Sequence, residues 1–212
     1  MQLPFDRRTC LKHVFATPIG FFQLPNTREL ASKIADIILA REKTDPGLDI
    51  SNFGGWHSDN TLMDWPELGF ADLADTFRSA VSHMISATSG IEKFNTQLNL
   101  SAWANVNRAG AANNSHIHPE NHWSGVLYIQ TPDLSADTRA KAGHIEFQDQ
   151  RGPVSMLKTP GQQSVMSVSP QEGMIVVFPS WLYHWVNAFS VDAVRISIAF
   201  NACINKFEVL EG

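Results

Sequence analysis

The sequence predicts a mainly β protein: an antiparallel jelly-roll core with two N-terminal helices laid over one outer face. Two observations carry this. After residue 93 the chain reads as seven or eight short strands divided by turn residues, with no helical period between them. Before residue 93 lie two stretches whose apolar residues recur at helical spacing.

The first helix is expected to open at Asn26-Thr27-Arg28-Glu29, where Asn26 can accept from the Glu29 amide and Glu29 can reach back, a capping box. Leu30, Ile34, Ile37 and Ile38 then repeat on one face, and Pro46-Gly47 stops the run. The second opens near Pro66, carries Phe70, Leu73, Phe77, Val81, Met84 and Ile85 on one face, and ends at Gly90. Its Met and Phe residues are packing groups. The strands follow as FNTQLNLSAWANV, SHIHP, WSGVLYIQT, GHIEFQD, SVMSVSP, GMIVVFPS and VRISIAFNACI. So many strands without intervening helices call for an antiparallel sandwich or barrel.

At 212 residues, the chain fits a single domain, residues 1–212, with a helical layer over 1–92 and the β core over 93–212. A chain this long buries roughly 70% of its unfolded surface, so no covalent staple is needed. Cys10 and Cys203 have no CxxC or CxxH neighbour and read as two idle thiols rather than a disulfide. A net charge of -5 and the absence of any Lys/Arg run argue against nucleic acid and anionic membranes as partners. Neither a signal peptide nor a long apolar span is evident, so the expectation is a cytoplasmic protein, with a homodimer as a possible assembly.

Three of the eight histidines stand out by spacing. His116 and His118 flank one residue in an expected strand, whose period of two would turn both imidazoles to one side. His184 lies at the end of GMIVVFPSWLYH, and with the HxH pair it can close three positions around one metal. Imidazole suits iron, copper, zinc and nickel alike, so the ligands alone do not choose the ion. His57 and His83 read as surface or core residues, while His122 and His144 are candidates to line the pocket. Arg195 and Ser197 follow His184 on one face of an otherwise apolar strand. An inward Arg is costly unless an anion pairs with it, and Arg beside a hydroxyl makes a carboxylate receptor. The structural alternative is an ion pair with Glu146 or Asp149.

Taken together, WANVNRAGAANNSHIHPENHWSGVLYIQTP, GHIEFQDQRGP, EGMIVVFPSWLYHWV and RISIAFNA resemble the Fe(II)- and 2-oxoglutarate-dependent dioxygenases, most closely the putative 2OG-Fe(II) oxygenase family. Arg195-x-Ser197 after the distal His184 is the most specific part. The resemblance implies a double-stranded β-helix (jelly-roll, cupin-like) core and an oxidoreductase using Fe(II), 2-oxoglutarate and O2. Such an enzyme hydroxylates a small-molecule or polypeptide substrate and releases succinate and CO2. It further implies His116 and His184 as metal ligands, Arg195 and Ser197 as the grip on the distal carboxylate, and Asn105 and Tyr128 as further contacts to 2-oxoglutarate. Trp103 and Asn107 share the parity of Asn105.

The departure from the family pattern is His118, which stands where HxD or HxE is expected. Three readings follow: a three-histidine iron site of His116, His118 and His184; a shifted His118-Pro119-Glu120 motif; or a degenerate site that only binds a ligand. Beside the 2-oxoglutarate enzyme stand a cupin-like three-histidine dioxygenase without cosubstrate, a zinc hydrolase, and a non-catalytic jelly-roll binding module. Trp123, Trp181 and Trp185 can stack a substrate or simply pack. The substrate itself has no legible code.

Overall fold

The computed structural model describes residues 14–25, 28–68, 71–152, 156, 160, 161 and 163–210. The expected capping residue Asn26, the core candidate Phe70, and Cys10 and His13 lie outside them. Cys203 is a free thiol.

Two antiparallel sheets face each other. The major sheet has the order β1-β9-β6-β11-β4-β3, from Gly20–Gln23 (β1), Met174–Pro179 (β9), Trp123–Gln130 (β6), Arg195–Val209 (β11), Phe94–Asn107 (β4) and Trp56–His57 (β3). The minor sheet has the order β2-β5-β10-β7-β8, from Asn52–Phe53 (β2), Ala112–His116 (β5), His184–Val186 (β10), Ile145–Gln148 (β7) and Val165–Val168 (β8). This is a double-stranded β-helix. Alternate residues of its strands face either the space between the sheets or the helices outside.

Helices α1 (Arg28–Glu42) and α2 (Ala71–Ser89) cover the outer face of the major sheet. Helix α1 buries Ala31, Ile34, Ala35 and Ile38. That stripe sits one residue round from the expected one, and Leu30 is left exposed. The small side chains of Ala31 and Ala35 let the helix lie close to the sheet. Helix α2 buries Leu73, Phe77, Val81, Met84 and Ile85, as its spacing predicts, and stops where Gly90 takes a φ of 73°. Phe77 stacks on Phe200 of β11 with centroids 4.1 Å apart. Gly125 on the neighbouring β6 makes room for that ring, since a Cβ there would lie 2.3 Å from Phe200. Ile38→Val removes one methylene at a site with no exposed surface and should cost about 0.5–1.5 kcal/mol. Urea unfolding measures this; an unchanged midpoint would mean that α1 does not seal the sheet.

The segment before residue 93 also supplies β1, β2 and β3, which extend both sheets. They span four, two and two residues, too short for a period-two pattern to register. No described helix is long and apolar enough to cross a membrane.

Candidate metal centre and carboxylate cradle

Register across the major sheet determines what faces inward. Arg195 of β11 pairs with Asn107 of β4; Ser197 lies between Asn105 of β4 and Tyr128 of β6; Ala199 lies between Trp103 and Val126; Asn201 lies between Ser101 and Ser124. The intervening Ile196, Ile198, Phe200 and Ala202 face the helices. A single alternation therefore separates a greasy outer face from a polar inner one.

The minor sheet brings up the histidines. His184 of β10 pairs with His116 of β5, and the register slips by one residue between this pair and Val186–Asn113. The extra residue on β5 is a bulge, a common means of re-aiming a side chain. Strand β5 ends at His116, so His118 does not share its side through strand alternation as the sequence suggested. His118 lies beyond the strand and is held from the β9–β10 turn, where the Ser180 carbonyl accepts its amide N–H at 2.9 Å. The three imidazoles still converge: one ligating nitrogen from each lies within 4.8 Å of the others, with His118 Nε2 3.3 Å from His184 Nε2. Glu120, the alternative in the shifted motif, is not in this group and stands in the following turn with a φ of 66°.

Backbone carbonyls orient two of the rings. His116 Nδ1 lies 2.6 Å from the Asn114 carbonyl and His184 Nδ1 lies 2.9 Å from the Leu182 carbonyl. A carbonyl only accepts, so both Nδ1 atoms carry the proton and both Nε2 atoms offer a lone pair. Burial, aided by the nearby His116, pushes His118 down to about 4 and His184 to about 3. Burial also lowers His116. At neutral pH all three are uncharged, the form a metal requires.

These depressed values set an acid dependence. Unfolded imidazoles titrate near 6.5, so below that pH the unfolded chain binds protons the folded chain refuses. The stabilisation is complete above pH 6.5 and is lost as pH falls toward the folded values near 4 and 3. Metal-free protein, melted in chelator, should therefore show a melting temperature that drops steadily between pH 7 and pH 4. A flat profile there would contradict buried neutral imidazoles.

Arg195 is 1% exposed. Its Nη1 lies 3.3 Å from Ser197 Oγ, and its Cζ lies 5.1 Å from the Tyr128 ring centre. Among the described residues no carboxylate pairs with it. Glu146 takes Lys141 at 2.6 Å and Asn187 at 3.0 Å, while Asp149 takes Arg151. Three buried atoms are left without hydrogen bonds beside it: its own Nε, the Tyr128 hydroxyl and Asn105 Oδ1. Burial holds Arg195 below its ordinary range and Tyr128 above.

A narrow inner cavity joins these groups, lined by Asn105, Arg195 and Ser197 at one end and His116, His118 and His184 at the other. It meets a wider outer cleft of about 450 Å³. Ser51, Trp103, His116 and His118 line both spaces, so two of the three imidazoles stand at their junction and His184 lies on the inner side.

His57 is a member of this site that the sequence did not disclose. It is buried on β3 opposite Asn105, donates from Nδ1 to the Ser58 carbonyl at 2.5 Å, and stacks on Trp103 with centroids 5.5 Å apart. Trp103 in turn leans on His118 at 5.4 Å. A histidine on a two-residue strand carries no periodic signal. The two pocket candidates His122 and His144 line neither space: His122 Nδ1 accepts from the Ile204 amide at 3.0 Å, and His144 Nδ1 meets Ser167 Oγ at 2.9 Å. Trp123 packs against the helix-side core, Trp185 donates to Asn187 at 3.0 Å, and Trp181 is half exposed.

Three imidazoles and a buried arginine cradle thus share one cavity inside a double-stranded β-helix, and the imidazole cluster could hold a metal ion. Residues 101–201 match the model of the family described as Putative 2OG-Fe(II) oxygenase. No curated protein matches the sequence. Solved structures with similar folds include a Pseudomonas putida prolyl-4-hydroxylase, with 16% identity, 89% of this chain and 93% of that chain covered, and a TM-score of 0.59. The viral collagen prolyl hydroxylase of Paramecium Bursaria Chlorella virus-1, in a 2-oxoglutarate complex, has 11% identity, coverages of 87% and 94%, and a TM-score of 0.55. HygX from Streptomyces hygroscopicus, with nickel and 2-oxoglutarate bound, has 10% identity, coverages of 89% and 83%, and a TM-score of 0.57. At these identities the likeness is one of fold.

Proposed function

We propose that this chain is an Fe(II)- and 2-oxoglutarate-dependent dioxygenase that hydroxylates its substrate and releases succinate and CO2. The observation that carries the reading is Arg195: buried, without an ion-pair partner among the described residues, and in one cavity with three neutral imidazoles. A buried guanidinium left alone is expensive, and a carboxylate is the group its planar fork matches. HygX and the viral prolyl hydroxylase were each solved with 2-oxoglutarate bound, which agrees with this reading.

On this reading His116, His118 and His184 hold the iron, His116 and His184 through Nε2, and the donor set fits it: one nitrogen from each of three neutral imidazoles, all within 4.8 Å of one another. Iron with 2-oxoglutarate and O2 supplies the oxidising power, the cosubstrate being cleaved to succinate and CO2. Arg195 and Ser197 grip the distal carboxylate of 2-oxoglutarate, and Tyr128 and Asn105 bring their unpaired atoms to the same end. Val126, Phe178, Ile145 and Val186 line the inner cavity and exclude water from the dianion. The substrate enters by the outer cleft and meets the ligands at its floor.

The test is an anaerobic titration of the Fe(II)-loaded protein with 2-oxoglutarate, following the visible charge-transfer band of the chelate. A saturable band is expected. A stoichiometric iron protein without the band would overturn the cosubstrate. The all-imidazole donor set would then favour a three-histidine dioxygenase that consumes O2 without forming succinate. Absence of both band and iron would leave a binding module.

A further inference from the structure

The outer cleft has a chemical character of its own. Among the described residues that line it are apolar side chains (Leu48, Ile50, Ile117), carboxamides (Asn60, Asn114, Asn201), hydroxyls and imidazoles, with no acid, lysine or arginine. A charged substrate finds no ion-pair partner among these side chains. The lining suits an uncharged molecule with apolar and hydrogen-bonding parts.

One of the carboxamides is held in a defined orientation. Ser124 Oγ lies 2.8 Å from Ser180 Oγ and donates to Asn201 Oδ1 at 2.7 Å, and all three residues are buried. The direction of this chain follows from its closed end. Ser180 has no exposed surface, and its hydroxyl has only Ser124 as a described partner. Reversing the chain would strand the Ser180 proton in the interior without an acceptor, which a buried hydroxyl rarely tolerates. So Ser180 donates to Ser124, Ser124 donates to Asn201 Oδ1, and the Asn201 amide nitrogen is left with both protons free on the cleft side. The same Ser180 supplies the carbonyl that holds His118 in place. The polar relay thus ties a fixed donor in the cleft to the placement of a candidate metal ligand.

We propose that Asn201 is a specificity-determining residue whose carboxamide N–H donates to a carbonyl oxygen of an uncharged, amide-type substrate in the outer cleft. This rests on the reading of that cleft as the substrate's entrance. A site built to donate one hydrogen bond rejects molecules that cannot accept it, because its own donors are then left unpaired. Trp103, at the junction of cleft and inner cavity, gives the apolar part of such a molecule a surface beside the imidazoles.

The test uses the full chain loaded with Zn(II) as a diamagnetic substitute for iron, ¹⁵N-labelled, and three probes: N-acetyl-leucine N-methylamide, N-acetyl-leucine and leucine N-methylamide. These are neutral, anionic and cationic on one scaffold. The neutral amide should shift the Asn201 side-chain NH2 resonances and bind at least about tenfold more tightly than either charged analogue. Asn201→Asp keeps the acceptor for Ser124 and removes the donor, and should weaken the neutral amide by about tenfold. Ser124→Ala releases the carboxamide to rotate and should weaken it by about threefold, giving a second variant should the first fold poorly. Charged probes that bind as well as the neutral one overturn the assignment. So does an unchanged Kd in Asn201→Asp, or no binding of the neutral amide up to its solubility limit. The two readings fail separately. An unchanged amide Kd in Asn201→Asp with 2-oxoglutarate affinity intact overturns the substrate assignment alone, whereas failure of the unaltered protein to bind 2-oxoglutarate overturns the cosubstrate assignment.

Discussion

Replacing Arg195 by alanine should weaken 2-oxoglutarate binding by about 2–5 kcal/mol, some 30- to several-thousand-fold in Kd, while leaving the metal in place. The range is that for truncating one partner of a buried, hydrogen-bonded charge pair. Its sharper content lies in the metal-free, cosubstrate-free protein. There Arg195 is a buried charge whose described polar contact is Ser197 Oγ at 3.3 Å. Removing an uncompensated charge relieves its desolvation penalty, which offsets the cavity the truncation leaves. Stability should then change little, whereas an arginine locked in a structural ion pair would cost 3–5 kcal/mol on losing its partner. Arg195→Lys should recover only part of the affinity, because an ammonium is a point charge without the planar fork. Isothermal titration with 2-oxoglutarate, paired with thermal melts of both variants, reads all three effects. Unchanged affinity in Arg195→Ala, or a steep stability loss, would sink the carboxylate-receptor reading.

Why Arg195 and Ser197 could be read from sequence is also why His118 was misplaced. Strand β11 is long, and Ile196, Ile198 and Phe200 mark its apolar face over many residues, so the period of two carries an inward Arg195 and Ser197 without ambiguity. The same parity extends to Ala199 and Asn201. Strand β5 is five residues long, bulged, and ends at His116. The period of two therefore does not reach His118, whose backbone is instead held by the hydrogen bond its N–H donates to a residue 62 positions on, the Ser180 carbonyl. His57 depends on the pairing of a two-residue strand with β4, and the Ser180–Ser124–Asn201 relay depends on the register of three elements. Such juxtapositions are tertiary facts with no local signature. Helix α1 shows the milder case: its period was legible, but the sheet decided between two overlapping stripes and took the one bearing Ala31 and Ala35.

His184→Ala should abolish stoichiometric metal binding, lowering affinity by more than about 100-fold, since losing even an outer hydrogen bond to a ligand commonly costs 10- to 100-fold. His184 lies against both other imidazoles of the cluster. Its Nε2 is 3.3 Å from that of His118, its ring centre is 4.3 Å from that of His116, and its Nδ1 proton is committed to the Leu182 carbonyl. No other described acid, thiol or histidine lies close enough to join the group and take its place. A change in metal content alone would not separate a lost ligand from a damaged fold. Acid sensitivity does. His184 resists protonation more strongly than His118, being pushed down to about 3 against about 4. It therefore contributes to the loss of stability below pH 6.5, and its removal should flatten the metal-free melting profile between pH 7 and pH 4 even if the truncation lowers stability at neutral pH. Metal analysis after anaerobic loading and a pH series of thermal melts in chelator together decide the matter. Retained stoichiometric metal would rule out the three-histidine centre, and an unflattened acid profile would show that His184 is not the buried neutral base its surroundings require.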